Sequence, residues 1–202
     1  MRNILPHCLS AAALLACSTA PLAADLNLSG LAATCNNCHG VGGVSAGSSM
    51  ASLAGQNRAY LEMVMLQWKT GERFSTTMGR LLAGYSEDEI KALAAYYAEK
   101  PWTPAVQELD PKLIRQGGFV LDRCSNCHGK TGGKTKTEDT PRLDGQWVRH
   151  IDLELEKYRD GTLALPNQKM ADNAHKLKEK EVAAIAAFFA SQSGDKAETK
   201  SK

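Results

Sequence analysis

Two short motifs in the sequence combine cysteine and histidine at a fixed spacing. Each has two cysteines three positions apart and a histidine directly after the second: Cys35, Cys38 and His39, and then Cys124, Cys127 and His128. Two thiols at this spacing face the same side of a helical turn, so each can add to one vinyl group of heme. The adjacent imidazole can then bind the iron, and the motifs predict two covalent heme c groups.

Other uses of paired cysteines fit the sequence less well. Zinc ribbons place their two Cys-x-x-Cys pairs about 15–20 residues apart, whereas the interval from Cys38 to Cys124 is much longer. A thioredoxin-like redox pair requires a βαβ context, which the sequence lacks. Disulfides within the two pairs would leave the repeated histidines unexplained.

A heme iron held by one histidine has a second face to fill. A methionine thioether there raises the reduction potential and favours electron transfer, whereas an open face favours small-molecule chemistry. Met170 is the only methionine after His128, and Met78 is the methionine that matches it in the first half. We therefore expect Met78 and Met170 to be axial ligands, while Met63 and Met65 lie on a predicted helix and suit the core.

The sequence does not decide the roles of several other residues. His150 and His175 have no counterpart in the other half, and an isolated histidine on a helix is more often a surface or packing residue than a ligand. Five more side chains could contact heme edges or propionates, or could equally be core or solvated: Trp68, Trp147, Tyr158, Arg80 and Arg142.

The motifs belong to a duplication that extends over most of the chain. Four further segments recur in the same order about ninety residues later. These are 53–56 with 143–146, 68–71 with 158–161, Met78 with Met170, and 87–98 with 179–190. The sequence thus predicts two domains, residues 25–100 and 111–192, joined by a proline-containing linker, residues 101–110.

The hydrophobic periodicity predicts three helices in each domain and no strands. We expect them at 26–34, 57–70 and 86–99, and at 113–123, 147–159 and 178–192. Ser86 and Glu89 form a capping-box pattern. The fold class is therefore all-α, with two tandem class I cytochrome c-like domains. Each domain has about eighty residues and a thin core, which a covalently bound heme can reinforce.

The two ends of the chain differ from the repeat. Residues 1–24 have a basic start, an apolar run and small residues before Asp25, which predicts an export signal and a periplasmic location. The alternative is a lipoprotein box that ends at Cys17. No other apolar run is long enough to span a membrane, and residues 193–202 predict a disordered tail. The net charge of +2 argues against a nucleic-acid binder.

The residues around Met78 resemble a particular family. Residues 75–80 and 84–86, with 143–147, 168–170 and 188–192, are similar to the cytochrome subunit of flavocytochrome c sulfide dehydrogenase. The similarity covers essentially the whole mature chain. It implies a periplasmic heterodimer with an FAD-binding subunit that oxidises sulfide and gives electrons to this chain, which passes them to a soluble acceptor such as another cytochrome. It also implies that His39 and Met78 ligate one iron, His128 and Met170 the other, and that no catalytic residue lies on this chain.

Two alternatives remain open. Residues 52–56 resemble the stand-alone diheme cytochromes that pass electrons to terminal oxidases, which need no flavoprotein. A diheme peroxidase would need one iron with an open or displaceable ligand, and the matched Met78 and Met170 argue against it.

Overall fold

A computed structural model of the protein describes residues 27–161, 163 and 165–193. These residues form helices and loops without a strand, so the predicted all-α fold class is confirmed. The predicted signal peptide, with Cys17, and the predicted tail after residue 193 lie outside the described residues. In the described part of the chain, no helix has the length and apolarity needed to cross a membrane.

The helices repeat in the same order in the two halves, residues 27–100 and 111–193. The first half contains α1 (Leu28–His39), a 3₁₀ turn (Val41–Gly43), α2 (Arg58–Thr70), α3 (Met78–Leu82) and α4 (Glu87–Ala98). The second half contains α5 (Pro111–Gly118), α6 (Asp122–His128), α7 (Val148–Asp160), α8 (Gln168–Ala174) and α9 (Glu179–Ala190). The short helices α3 and α8, which carry the two methionines, were not predicted.

The single helix predicted at residues 113–123 is wrong, because the chain divides there into α5 and α6. Two consecutive glycines, Gly117 and Gly118, end α5, and glycine is a poor helix former. Gly117 has a second role. A Cβ atom at Gly117 would lie 2.2 Å from the carbonyl oxygen of Ala184, so the absence of a side chain allows α5 to cross α9 in direct contact.

The capping box predicted at the start of α4 is present. The backbone N–H of Glu89 donates to Ser86 Oγ at 3.2 Å, and the N–H of Ser86 donates to Glu89 Oε2 at 2.7 Å. These two bonds satisfy donors that would otherwise be unpaired at the helix end. They fix the start of the helix whose inner face forms the first core.

Each half has its own apolar core. In the first half, the buried face of α4 packs against α2: Ile90, Leu93, Ala94 and Tyr97 meet Leu61 and Met65. In the second half, α9 packs against α7: Val182, Ile185 and Phe189 meet Ile151 and Leu155. The carboxyl-terminal helix of each half is therefore the centre of its core.

Two glutamines join the halves through the same bonds in both directions. Gln56 Nε2 donates to the carbonyl oxygen of Arg142 at 2.9 Å, and Gln56 Oε1 accepts from the Arg142 N–H at 2.7 Å. Gln146 Nε2 donates to the carbonyl oxygen of Ser52, and Gln146 Oε1 accepts from the Ser52 N–H, both at 3.0 Å. The two glutamines occupy equivalent positions, as do Ser52 and Arg142. The joint therefore has the reciprocity of a two-fold interface.

The segment between the halves lies on the second half. Trp102 Nε1 donates to the carbonyl oxygen of Asp144 at 2.8 Å, and the N–H of Ala105 donates to the carbonyl oxygen of Gly145 at 2.7 Å. The Gln107 side chain donates to the carbonyl oxygen of Gln146 at 3.0 Å. The connection is therefore tied to the same residues that form the joint.

Candidate heme sites

The first motif occupies the last two turns of α1, and the second motif forms most of α6. Cys35 and Cys124 are half-buried, Cys38 and Cys127 are exposed, and all four are free thiols. Burial raises the pKa of Cys35, and it raises the pKa of Cys124 to about 11. The two cysteines of each motif lie on one short helix, as attachment to two vinyl groups of a single heme requires.

The ring of each motif histidine is oriented by a backbone carbonyl group. His39 Nδ1 lies 2.8 Å from the carbonyl oxygen of Ala51, and His128 Nδ1 lies 3.1 Å from that of Pro141. A carbonyl oxygen accepts only, so Nδ1 must donate, and the lone pair needed for iron is then on Nε2. Burial lowers the pKa of both histidines, which favours the neutral ring that ligates metals.

The two predicted methionine ligands lie in the first turn of equivalent short helices, Met78 as the first residue of α3 and Met170 as the third residue of α8. The N–H of Met78 donates to Ser75 Oγ, and the N–H of Met170 donates to Asn167 Oδ1, both at 3.0 Å. Asn167 is the N-cap residue of α8, whereas Ser75 lies two positions before Thr77, the N-cap residue of α3. Both methionine backbones are therefore held by a polar side chain three positions earlier.

In each half, one predicted cysteine and the predicted methionine pack against the same core. Cys35 and Met78 both pack against the first core, and Cys124 and Met170 both pack against the second. Among the described residues, no group of three or more His, Cys, Asp and Glu side chains could hold a bare metal ion. One imidazole and one thioether are donors that heme iron takes in cytochromes of this type, so the residues predicted in each half fit a heme.

A glycine brings the loop after each motif against the carboxyl-terminal helix. Gly43 and Gly132 have φ angles of +82° and +87°, which favour glycine. A Cβ atom there would lie 2.7 Å from the ring of Tyr97 and 2.8 Å from the ring of Phe189, respectively. These contacts hold the motif loops against α4 and α9.

The residues with open roles lie mostly at the joint between the halves. Trp147 Nε1 donates to the carbonyl oxygen of Ser45 at 3.0 Å, which links the two halves. The Arg142 guanidinium group forms a paired bond with Asp144, at 2.7 and 2.9 Å, and Asp144 is fully buried. Trp68 and Tyr158 flank the guanidinium group of Arg73. Sequence reasoning assigned no role to Arg73, Asp144 or the glutamines, although the repeated Gly-Gln pair was a usable signal for the glutamines.

His150, His175 and Arg80 have different surroundings. His150 lies at the joint, where burial lowers its pKa despite the nearby Glu154 carboxylate. His175 and Arg80 are exposed. The motif residue His39 is among the groups whose charge acts on His150.

The chain segments around the two motifs differ in charge. Residues 27–57 contain no Asp, Glu, Lys or Arg, whereas the equivalent residues 117–147 contain five Lys or Arg and four Asp or Glu. Val41, two positions after His39, is 87% exposed. The first motif therefore lies in an uncharged segment with an exposed apolar side chain, and the second lies in a charged segment.

No protein-family model matches the chain. Cytochrome c4 of Pseudomonas aeruginosa is 32% identical over 169 residues, which cover 78% of this chain and 83% of that protein. The thiosulfate dehydrogenase electron acceptor of Stutzerimonas stutzeri is 27% identical over 171 residues, which cover 79% of each chain. The cytochrome subunit of sulfide dehydrogenase of Chlorobaculum tepidum is 39% identical over 67 residues, which cover 33% of this chain and 60% of that protein.

The fold agrees with these relatives. The crystal structure of reduced recombinant cytochrome c4 from Pseudomonas stutzeri superposes with a TM-score of 0.74 at 25% identity, over 82% of this chain and 96% of that chain. The predicted tandem class I domains and the two predicted covalent heme c groups are confirmed. The chain therefore belongs to the cytochrome c4 family and is a diheme c-type cytochrome that carries electrons.

Proposed function

We propose a specific set of residues for each heme. Cys35 and Cys38 attach the first heme, with His39 and Met78 as its axial ligands. Cys124, Cys127, His128 and Met170 play the same roles for the second. The proposal is supported by the matched geometry of the two halves, in which each imidazole is oriented through Nδ1 and each methionine packs on the same core as a motif cysteine. When bound, the heme supplies a one-electron ferric–ferrous couple, whose potential a methionine ligand raises.

We further propose that the chain is a periplasmic electron-accepting subunit of a sulfide-oxidising complex, with an FAD-binding subunit as the donor. The uncharged segment around the first motif, residues 27–57, is the observation that carries this proposal. The centres of stable protein interfaces are depleted in charged residues, and the exposed Val41 adds an apolar side chain beside the motif. The sulfide dehydrogenase cytochrome subunit is among the relatives of the chain.

The second motif suits a different kind of contact. Arg123, Lys130 and Lys136 are exposed beside it, and the N–H of Lys136 donates to the carbonyl oxygen of Cys127 at 2.8 Å. Charged surfaces favour fast, salt-sensitive encounters over permanent association. Electrons would thus enter at the first half and leave from the second half to a soluble acceptor such as another cytochrome.

A second candidate function is favoured by the comparisons. The cytochrome c4 relatives match along most of the chain, whereas the sulfide dehydrogenase cytochrome subunit matches over 33% of it. In this alternative, the protein is a stand-alone carrier that gives electrons to a terminal oxidase. It then has no permanent flavoprotein partner.

The test is capture of the tagged holoprotein from its native periplasm, followed by flavin analysis and heme absorption after adding sulfide or thiosulfate. We expect bound flavin and rapid heme reduction by sulfide. Val41→Lys should abolish both, whereas Val106→Lys, at a 95% exposed valine of the connecting segment, should change neither. A flavin-free cytochrome that sulfide leaves oxidised and a terminal oxidase turns over would establish the carrier function instead.

A further inference from the structure

One arginine of the first half is buried against the second half. Arg73 is only 6% exposed. Its Nη1 atom donates to the Tyr158 hydroxyl group at 2.9 Å, and its Nη2 atom donates to Glu154 Oε2 at 3.1 Å. Both partners lie on α7. Hydrogen bonds with a charged partner are among the stronger ones in proteins, and burial keeps water from competing for them.

Two aromatic rings complete the site of Arg73. The central carbon of its guanidinium group lies 5.7 Å from the ring centroid of Trp68 and 5.5 Å from that of Tyr158. Trp68 and Tyr158 occupy equivalent positions in the duplication, so the guanidinium group is close to both rings of a matched pair. Cation–π contacts of this kind are stronger in desolvated sites.

The arrangement has no mirror image. Counted from the matched Gly71 and Gly161, the second-half equivalent of Arg73 is Leu163, whose side chain can neither donate a hydrogen bond nor carry a charge. The charged contact that Arg73 makes across the joint therefore has no equivalent at Leu163 of the second half.

Arg73 lies in the short segment that leads to Met78. Its own N–H donates to the carbonyl oxygen of Gln67 at 3.0 Å, which ties the segment to α2. Ser75 Oγ then accepts a hydrogen bond from the N–H of Met78, the first residue of α3. Four residues separate Arg73 from Met78, so a shift of the arginine is passed to the methionine through few rotatable bonds.

We propose that Arg73 is a positioning residue that fixes the Met78 segment to α7, so that the hold of Met78 on the first heme iron depends on contact between the two halves. This inference rests on the proposed ligation by Met78. The residue equivalent to Arg73 before Met170 is Leu163, so we expect no matching charged contact to hold Met170. The two hemes should therefore respond unequally to any change at the joint.

The test uses the oxidised holoprotein and imidazole, a small ligand that competes with a methionine sulfur for heme iron. We expect Arg73→Met to raise the affinity for imidazole about tenfold at the first heme and to leave the second within about twofold. Arg73→Lys should rescue only part of the effect, since an ammonium group cannot reach Tyr158 and Glu154 with two separate nitrogen atoms. Tyr158→Phe, which removes a single hydroxyl group, should give a smaller change at the same heme.

Proton NMR of the reduced protein assigns the response to a heme, because each ligating methionine gives a methyl signal shifted by the ring current of its heme. Met78→Leu identifies the signal of the first heme. Arg159→Met is the matched control, since Arg159 pairs with Glu156 on its own helix. It should alter neither heme.

Three results would overturn the inference. Unchanged imidazole affinity in both Arg73→Met and Tyr158→Phe would show that Met78 is held independently of α7. Equal increases at both hemes would indicate general loosening of the fold. A wild-type protein without a methyl signal from Met78 would refute the proposed ligation itself, and the imidazole comparison would then have no basis. If Arg73→Met does not fold, Tyr158→Phe alone decides between the first two.

Discussion

Truncating one glutamine of the joint should cost the protein several kilocalories per mole of stability. In Gln146→Ala, the N–H and carbonyl groups of Ser52 both lose their partner on the other half. Ser52 is 4% exposed, so water cannot freely replace the lost amide. A buried polar group left without a partner costs about 1–3 kcal/mol.

Two such groups give an expected loss of about 2–4 kcal/mol, the lower part of the summed range, because some water will enter the space left by the side chain. For a urea dependence of about 2 kcal/mol per molar, the unfolding midpoint should fall by about 1–2 M. Gln56→Ala should give a similar loss, since its bonds to Arg142 repeat those of Gln146.

Urea unfolding of the holoprotein measures this loss, followed by circular dichroism for the helices and by heme absorption for the two sites. Gln168→Ala is the matched control, because Gln168 is exposed and bonds to Asp172 on its own helix. It should change stability by less than about 0.5 kcal/mol. A folded Gln146→Ala protein as stable as this control would refute the reasoning, since the joint would then add no stability.

Three further predictions concern single side chains. In the same urea assay, Gly43→Ala should lower the free energy of unfolding by more than about 2 kcal/mol, because its Cβ would lie 2.7 Å from the Tyr97 ring. Gly42→Ala is the control: its φ angle is also positive, at +64°, but no atom crowds the site. It should lower the free energy of unfolding by about 1 kcal/mol. Ser86→Ala should cost about 1 kcal/mol by removing one bond of the capping box, again measured by urea unfolding. The pKa of Glu154 is lowered, because neighbouring cations outweigh the burial that raises it. Its carboxylate therefore stabilises the fold above the ordinary carboxyl pKa, and Glu154→Gln should lose stability at neutral pH but not in acid, as thermal unfolding across pH would show.

Local features of the fold could be predicted from the sequence, and contacts between the halves could not. Helix α4 was predicted to within one residue at each end, because periodicity and capping are signals within the helix itself. The break between α5 and α6 was missed, since the reason for Gly117 lies on α9. The partners of Arg73 are 81 and 85 residues away in the sequence, and the sequence around Arg73 contains no motif or periodicity that predicts them.

The predicted heme sites divide in the same way. The cysteines and histidines form compact motifs whose chemistry depends on spacing alone. Met170 is predicted because it is the only methionine after His128, and Met78 is predicted because the duplication matches it with Met170; both ligands stay predictions. The carbonyl groups that orient His39 and His128 are backbone atoms of Ala51 and Pro141, so no residue type could have revealed them.

The reciprocal glutamine joint is the arrangement expected of two identical subunits, yet both copies belong to one polypeptide. In a homodimer every substitution appears on both sides of the axis, so the two sides cannot acquire different properties. Covalent fusion removes that constraint and keeps the halves at a high effective concentration. Arg73 can then serve one side alone, and the charges near Cys127 need not be copied near Cys38. A molecule with a symmetric architecture can thereby have two different ends, and electrons can pass from one end to the other in a defined direction.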